Sequence, residues 1–196
     1  MIENHEVEYR ALISRDVFRE LLKRGQDNFA STFNGPLKID DAYFCSKTIR
    51  KFDEIEMNKV GSYGLRLRRE IDNEIAEISL NAKTLTHNAD HTTGLEYEVK
   101  VESFEECASI LGLIGFKIFF EYKKTRYSYK DDDVMVCLED IENFQPIIEV
   151  EIITTANMID KSGKKLLGFL GKYNIPKSAI VDKSVTNMLM RVRSTF

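Results

Sequence analysis

The residues of this sequence that could do chemistry are charged side chains that recur at every second position. Near the start of the chain, Glu6, Glu8 and Arg10 alternate with Val7 and Tyr9. In a β-strand, every second side chain points to the same face. The spacing therefore predicts a strand that carries two carboxylates and a guanidinium on one face.

The same alternation recurs along the chain, and several of the repeats group charges of one sign. All the repeats are Arg66/Arg68, Glu77 to Lys83, Glu96 to Glu102, Lys124/Arg126 and Glu149/Glu151. Those of one sign are Arg66/Arg68, Lys124/Arg126 and Glu149/Glu151. An ordinary antiparallel sheet with one wet and one dry face would also alternate. A solvated face has no need to group like charges within a strand, so the grouping favours a polar site over that alternative.

Acidic and basic pairs that meet at one site would have a defined chemistry. Carboxylate oxygens are hard ligands that suit Mg²⁺ or Mn²⁺, and arginine and lysine suit phosphate oxygens. Burying so many charges is costly unless each finds a partner. A metal-bound polyphosphate would supply partners to both kinds of charge, and this is the ligand class that the pattern indicates.

Strands must position these side chains, and the pattern predicts many of them. Strands are expected at 5–13, 28–33, 39–45, 62–71, 74–83, 94–102, 117–130, 133–139 and 146–153, with a hairpin turn at 130–133. Helices are expected at 14–25, 103–116, 154–170 and 183–192. Eight or nine antiparallel strands are enough to close a barrel. The predicted fold class is therefore α+β with a strand-dominated core, in a single domain over residues 1–196.

Composition narrows the class of protein. The 196 residues carry a net charge of -4, so no overall basic field indicates nucleic-acid binding. Cys45, Cys107 and Cys137 form no CxxC pair, which argues against a zinc site or a disulfide framework and favours a cytoplasmic protein. No apolar run reaches the roughly 18 residues of a membrane helix, and no secretory signal is visible.

An ordered set of short motifs resembles the CYTH domains, or triphosphate tunnel metalloenzymes. The N-terminal Glu6-Val7-Glu8-Tyr9-Arg10 resembles the ExExK signature of that family. The later matches, in the family's order, are Asp41-Ala42-Tyr43-Phe44, Leu65-Arg66-Leu67-Arg68, Lys83, Glu96-Tyr97-Glu98, Lys124-x-Arg126 and Glu149-Val150-Glu151. Each match alone is weak, but the ordered set from residue 6 to residue 151 is specific.

The resemblance implies a closed eight-stranded antiparallel β-barrel with flanking helices and charged side chains inside. By motif position it implies metal binding by Glu6, Glu8, Glu139, Glu149 and Glu151. It implies phosphate binding by Arg10, Arg66, Arg68, Lys83, Lys124 and Arg126, and we assign the catalytic roles to Glu8 and Arg10. Because Arg66 and Arg68 share a strand face, we expect their like charges to repel each other when no ligand is bound.

The sequence departs from the family pattern at four places, one of which is the lack of a basic residue just before the mid-chain ExE motif. Arg10 replaces the signature lysine, which keeps the charge but not the compact ammonium. Glu139 stands where the family usually has aspartate; Asp140 is the neighbouring alternative, but the alternation places Glu139 on the face of Cys137. Gln145-Pro146 replaces a glycine that often precedes the closing ExE motif. These departures imply lower activity or an altered substrate preference.

The expected function is hydrolysis of a triphosphate, either inorganic tripolyphosphate or a nucleoside triphosphate, with Mg²⁺ or Mn²⁺ as cofactor. One alternative is a class IV adenylyl cyclase, which makes cyclic AMP from ATP. Another is a catalytically weak module that only binds polyphosphate or nucleotide. The expected partner is a small molecule with a triphosphate group, not a nucleic acid or a membrane, and homodimer formation is left open.

Overall fold

The computed structural model describes residues 4–50, 63–85, 94–181 and 185–193. The strands are β1 (Asn4–Leu12), β2 (Asn34–Ser46), β3 (Tyr63–Asp72), β4 (Ile75–Leu85), β5 (Gly94–Lys100), β6 (Phe116–Asp131), β7 (Val134–Ile141), β8 (Ile147–Thr155) and β9 (Ile180–Val181). The helices are α1 (Arg15–Asn28), α2 (Phe104–Leu113), α3 (Ile159–Lys172) and α4 (Val185–Arg193). The α+β class predicted from the sequence is confirmed.

The strands form one nine-stranded sheet in the order β5-β4-β3-β2-β6-β7-β8-β1-β9. The pairings β1 with β8, β2 with β3, β3 with β4, β4 with β5, β6 with β7, and β7 with β8 are antiparallel. Over the described residues the order begins at β5 and ends at β9, and these two strands are not paired with each other. The closed eight-stranded barrel therefore stays a prediction.

The chain divides into two compact units. Unit 1 comprises Met1–Leu37 and Lys124–Lys183, and unit 2 comprises Lys38–Lys123 and Ser184–Phe196. Strands β2 and β6 contribute residues to both units. The organisation as a single domain stays a prediction.

The core of unit 1 lies between one sheet face and helices α1 and α3. Val7 and Ala11 of β1 point into this core, and their partners on β8 are Ile152 and Ile148. Helix α1 contributes Phe18 and Leu21, and helix α3 contributes Leu166, Phe169 and Leu170. Burial of these aliphatic and aromatic side chains holds the sheet face against the helices. Glu8 and Arg10 alternate with Val7, Tyr9 and Ala11 along β1, so they lie on the opposite face of the sheet.

The core of unit 2 also lies between one face of the sheet and a helix. Ala42, Phe44 and Leu67 are buried on one face of the sheet, and Leu111 of helix α2 packs against them. Helix α2 begins at the N-cap Ser103, whose hydroxyl accepts a hydrogen bond from the backbone N–H of Glu106. The helix ends at Leu113, before the 116 that the sequence predicts, because Gly115 has a φ of 102° and Phe116 already starts β6.

The predicted strand at 28–33 is wrong, and the end of helix α1 explains the error. The helix does not stop at Gly25 but continues to Asn28, and residues 30–32 form a turn before β2. The backbone N–H of Phe29 donates to the carbonyl of Gly25, and that of Thr32 donates to the carbonyl of Phe29. Gly25 serves close packing rather than termination, since a Cβ at this position would lie 2.6 Å from the ring of Tyr129.

Other elements can also be compared with the sequence-based expectations. Thr154 and Thr155 complete strand β8, so helix α3 starts at Ile159 instead of 154. The short strand β9, which pairs with β1, has no predicted counterpart. The first two residues of the helix predicted at 183–192 lie outside the described residues, and α4 covers the remainder. The hairpin at 130–133 is confirmed, with Asp132 at a φ of 60°. Among the helices described, none has the length and apolar character needed to cross a membrane.

Candidate functional site

The sheet face of unit 1 that points away from the hydrophobic core carries most of the predicted charged residues. In the pairing of β1 with β8, Glu8 lies opposite Glu151 and Arg10 lies opposite Glu149. In the pairing of β6 with β7, Arg126 lies opposite Glu139. The alternation in the sequence therefore predicts this face correctly.

Three carboxylates of this face converge. Oxygen atoms of Glu6, Glu8 and Glu151 all lie within 4.8 Å of one another. Glu8 is buried, and Glu6 and Glu151 are half-buried. Burial raises the pKa of Glu151, the nearby negative charges of Glu149 and Glu8 raise it further, and a hydrogen bond with Glu6 lowers it without reversing the shift. Three hard oxygen donors this close together are a donor set suited to Mg²⁺ or Mn²⁺.

Arg10 links this carboxylate group, the acidic trio of Glu6, Glu8 and Glu151, to Glu149. Its Nη2 donates to Glu8 Oε2 at 2.8 Å, and its Nε donates to Glu149 Oε2. Burial opposes the positive charge, but the carboxylates of Glu149 and Glu8 outweigh it and raise the pKa of Arg10 well above its ordinary value. Arg10 is therefore a fixed cation beside the acidic trio.

A second network on this face centres on Glu139. Its Oε1 accepts hydrogen bonds from Lys124 Nζ at 2.6 Å and from Arg126 Nη2 at 2.6 Å and Nε at 3.0 Å. Burial alone would raise the pKa of Glu139, but the positive charges of Lys124 and Arg126 hold it well below its usual range. Glu139 is thus ionised and anchors the two bases.

The five predicted metal ligands therefore occupy two kinds of environment. Glu6, Glu8 and Glu151 converge with each other, although Glu8 also accepts a hydrogen bond from Arg10, whereas Glu139 and Glu149 lie outside this trio and accept hydrogen bonds from bases. Burial would raise the pKa of Glu149, but Arg10 outweighs it and lowers the pKa. The assignment of Glu139 and Glu149 as metal ligands stays a prediction.

Unit 2 carries its own charged group, centred on Asp41. The two oxygens of Asp41 accept from Nε and Nη2 of Arg68 at 2.7 and 2.9 Å, a bidentate ion pair. Nε of Arg66 lies 3.8 Å from Oδ1 of Asp41, and Nη1 of Arg68 lies 3.4 Å from Glu70. The Asp41 side chain is 0% exposed, and its single negative charge lies within ion-pair distance of both guanidinium groups.

Strand β4 continues the polar face of unit 2. Asn81 is opposite Arg66 on β3 and opposite Glu98 on β5, and its amide donates to the Glu98 carboxylate. Asn81 is buried and Lys83, two residues further along the strand, is half-buried. The predicted phosphate-binding positions Arg66 and Lys83 thus share a strand face with Asn81.

The sequence predicts no role for Asp41, Asn81 or Glu98. The alternation places each of them on a polar strand face, with Asp41 on the face opposite the apolar Ala42 and Phe44. The pairing of Asn81 with Glu98 depends on the register of β4 against β5, which the sequence does not show.

One curated relative matches part of this chain. The chain is 33% identical over 90 residues to a protein of Methanocaldococcus jannaschii named "Putative adenylate cyclase MJ0240". This match covers 45% of the chain and 51% of the relative, so it spans about half the length of each protein.

Solved structures resemble the whole chain more evenly. The PH1819 protein from Pyrococcus horikoshii OT3 superimposes with a TM-score of 0.77 at 23% identity, covering 95% of this chain and 98% of that one. A Vibrio parahaemolyticus protein described as a putative adenylate cyclase gives a TM-score of 0.74 at 14% identity, with 94% and 97% covered. These likenesses show the fold. The CYTH domain matches residues 4–184, nearly the entire sequence, and the chain belongs to the CYTH domain family.

Proposed function

We propose that this protein binds a triphosphate together with a divalent cation and hydrolyses it. The observation that carries this proposal is the charged face of unit 1, where the acidic trio adjoins Arg10 and the Glu139 network holds Lys124 and Arg126. Carboxylates that suit a hard metal ion and bases that suit phosphate oxygens lie side by side on one face. A metal-bound triphosphate has the complementary charges.

Binding of the triphosphate would proceed by exchange of partners. The carboxylates of Glu149 and Glu139 accept hydrogen bonds from the bases Arg10, Lys124 and Arg126. Phosphate oxygens would replace these carboxylates as acceptors or would bind the same bases beside them. In unit 2 the same role falls to Arg66, Arg68 and Lys83, with Asp41 as the internal partner of the arginines. Arginine is favoured at such positions because its planar fork matches phosphate oxygens in pairs.

The residues present fit a divalent cation. Glu6, Glu8 and Glu151 would hold Mg²⁺ or Mn²⁺, because their oxygens are hard ligands and lie close together. A cation bound there would neutralise phosphate charge and activate water for attack.

The proposed reaction is an in-line displacement at the terminal phosphorus. The oxygen of a water molecule forms a bond to that phosphorus, and the bond from phosphorus to the bridging oxygen breaks. The leaving group is pyrophosphate when the substrate is tripolyphosphate and a nucleoside diphosphate when it is a nucleoside triphosphate. Glu8, buried and beside Arg10, orients the water and accepts its proton. Arg10, Lys124 and Arg126 hold the phosphate oxygens as negative charge shifts onto the leaving group.

We further propose that the strands close into the eight-stranded barrel implied by the family motifs. A crystal structure would test this proposal. Backbone hydrogen bonds that close the sheet on itself are the expected result, and a sheet that stays open would contradict it.

A second candidate function is cyclisation of ATP to cyclic AMP. The relative from M. jannaschii carries the name of an adenylate cyclase, which favours this candidate. In this reaction the ribose 3′ hydroxyl attacks the α-phosphorus and pyrophosphate leaves, and the same carboxylates and bases serve. The two activities differ in the nucleophile, which is water or the ribose 3′ hydroxyl, and in which phosphorus faces it. A protein that binds triphosphate without turnover is the remaining alternative.

The test is incubation with tripolyphosphate, ATP or thiamine triphosphate, in the presence of Mg²⁺ or Mn²⁺, with phosphate, pyrophosphate and cyclic AMP resolved separately. Release of phosphate with the metal ion supports hydrolysis, and cyclic AMP from ATP supports the cyclase. Binding without any product supports the binding module.

Two variants link the outcome to the site. Glu8→Gln removes one charge of the acidic trio while it keeps the shape of the side chain, and we expect turnover to fall at least a hundredfold. Glu142→Gln changes an exposed glutamate outside the site and is the matched control. Equal activity of both variants at saturating Mg²⁺ would refute the role of Glu8.

A further inference from the structure

Tyr43 is a side chain of the charged face of unit 2 to which the proposed function gives no role. It lies on β2 two residues after Asp41 and is paired directly with Arg66 of β3. Side chains two positions apart on a strand share a face. The Tyr43 side chain therefore lies on the same face as the Asp41, Arg66 and Arg68 group.

Aromatic neighbours fix the ring of Tyr43 in place. The ring stacks on Tyr122 with a centroid distance of 6.1 Å and an interplanar angle of 12°. The edge of Phe119 meets it at 6.4 Å and 66°. Aromatic pairs at such distances favour these geometries. A ring packed from two directions holds its hydroxyl at a defined place.

The hydroxyl of Tyr43 interacts with helix α4. Thr186 of that helix shares a hydrogen bond with it, and Thr186 is 1% exposed. The charged groups that act on the hydroxyl among the described residues are Arg66 and Arg68 from β3 and Asp41 from its own strand. Burial and Asp41 raise the pKa of Tyr43, but Arg66, Thr186 and Arg68 outweigh them and lower it.

We propose that Tyr43 is a phosphate-binding residue, whose hydroxyl donates a hydrogen bond to the anion that Arg66 and Arg68 bind. This inference rests on the proposed function, and it adds a neutral donor to a site otherwise made of cations. A hydroxyl next to two guanidinium groups is attractive to an anion, because it offers a proton without adding a third positive charge. Thr186 orients it and is a positioning residue.

The test measures binding of inorganic tripolyphosphate by calorimetry in metal-free buffer, where turnover does not interfere. Tyr43→Phe keeps the stacked ring and removes only the hydroxyl. We expect its affinity to fall roughly threefold to tenfold, which is the effect of one hydrogen bond. Thr186→Val should weaken binding less, because the Tyr43 hydroxyl remains but loses its orientation. Tyr97→Phe, which removes an exposed hydroxyl on β5, is the matched control and should bind like wild type.

A pH series separates ligand contact from a structural role. As the pH rises through the lowered pKa of Tyr43, its hydroxyl becomes an anion that repels phosphate, so wild-type affinity should fall. Tyr43→Phe has no such group, and its affinity should stay level over the same range. A merely structural tyrosine would change the melting temperature of the free protein and leave this profile the same in both proteins.

The outcomes also separate this inference from the proposed function. If wild type binds tripolyphosphate, Arg66→Ala weakens binding, and Tyr43→Phe binds as wild type does, then only the role of Tyr43 is overturned. If wild type binds tripolyphosphate neither in metal-free buffer nor with Mg²⁺ present, the proposed function and this inference are both overturned.

Discussion

Carboxylates hold the bases of the charged faces in place without any ligand. Glu8 and Glu149 hold Arg10, Glu139 holds Lys124 and Arg126, and Asp41 holds Arg68. These ion pairs offset the free-energy cost of burying the cations, which is high unless each cation has a partner. It also means that a phosphate must compete with a protein carboxylate for each base. Affinity for the triphosphate is then the difference between two sets of ion pairs.

Asp41 changes the expectation for the two arginines of β3. The spacing of Arg66 and Arg68 predicts mutual repulsion, but Asp41 lies near both guanidinium groups and its charge offsets part of this repulsion. Arg68→Ala leaves the buried Asp41 without its bidentate partner, and we expect it to destabilise the protein by about 3 kcal/mol. Arg66→Ala removes a 3.8 Å contact of an arginine that is 18% exposed, and about 1 kcal/mol or less is expected. Urea unfolding of both variants measures the difference, and equal losses would contradict the dominance of Arg68.

Glu139 gives the stability of unit 1 a defined dependence on pH. Its pKa in the folded protein lies below the value in the unfolded chain, so its ionisation stabilises the fold above about pH 5 and this contribution is lost as the pH falls towards about 2. Glu139→Gln lacks this contribution and leaves Lys124 and Arg126 less compensated. We expect it to be less stable than wild type by about 3 kcal/mol at pH 7 and by progressively less at pH 5 and pH 3.

The control for this pH dependence is Asp140→Asn, in the neighbouring position. Asp140 pairs with Arg15 at the surface, where an ion pair contributes about 1 kcal/mol or less. Urea unfolding at the three pH values gives the free energies. A difference between wild type and Glu139→Gln that does not change with pH would contradict an ionised Glu139 in the folded protein.

At the scale of single elements, strand periodicity is what the sequence predicts best. Glu8 and Arg10 on one face with Val7 and Ala11 on the other follow from the alternation alone, and the structure has them so. The apolar Phe29 and Phe33 suggest a strand at 28–33 for the same reason. They belong instead to the end of a helix and a turn, and both pack on the core of unit 1. Local pattern cannot show which tertiary contact an apolar residue makes.

Helix α1 offers a direct test of why Gly25 is present. Alanine in a helix interior is ordinarily more stable than glycine by up to about 1 kcal/mol. At Gly25 the added Cβ would lie 2.6 Å from Cδ1 of Tyr129, whose ring is fully buried and stacked on Phe29. We therefore expect Gly25→Ala to destabilise the protein by about 1 to 3 kcal/mol.

Helix α3 provides the matched control. Gly168 lies in the interior of that helix, and no atom lies within 4 Å of the place where its Cβ would be. Gly168→Ala should therefore stabilise the protein by about 0.5 to 1 kcal/mol. Denaturant unfolding of both variants decides the matter: a gain in stability at Gly25 would show that the Tyr129 contact does not constrain that position.

At the scale of the whole molecule, the sequence predicts the fold class and the composition of the charged faces but not the pairing within them. The motifs name Glu6, Glu8, Glu139, Glu149 and Glu151 as equivalent acids. In the structure these acids have different neighbours. Strand register decides which carboxylates lie close to one another and which lie beside a base. Glu139 lies opposite Arg126 and becomes its partner, whereas Glu151 lies opposite Glu8 and joins the acidic trio. Register of this kind is a tertiary property that no single segment contains.

This division of charges predicts that the metal ion and the triphosphate promote each other's binding. A triphosphate that engages Arg10 draws it away from Glu8 and Glu149, which leaves those carboxylates less compensated and raises the affinity for a cation. Thermodynamic linkage requires the same factor in the reverse direction. We expect saturating Mg²⁺ to raise the affinity for tripolyphosphate by about fivefold or more, the lower end of typical coupling between two sites.

Calorimetric titrations of each ligand with and without the other measure this factor. Mg²⁺ also binds tripolyphosphate in solution, so part of the coupling does not involve the protein at all. Glu8→Gln isolates that part, because it weakens the acidic trio and leaves the solution equilibrium unchanged. Glu142→Gln should show the full wild-type factor, since the residue is exposed and outside the site. If Glu8→Gln couples the two ligands as strongly as wild type, then the acidic trio does not hold the metal ion that assists the triphosphate.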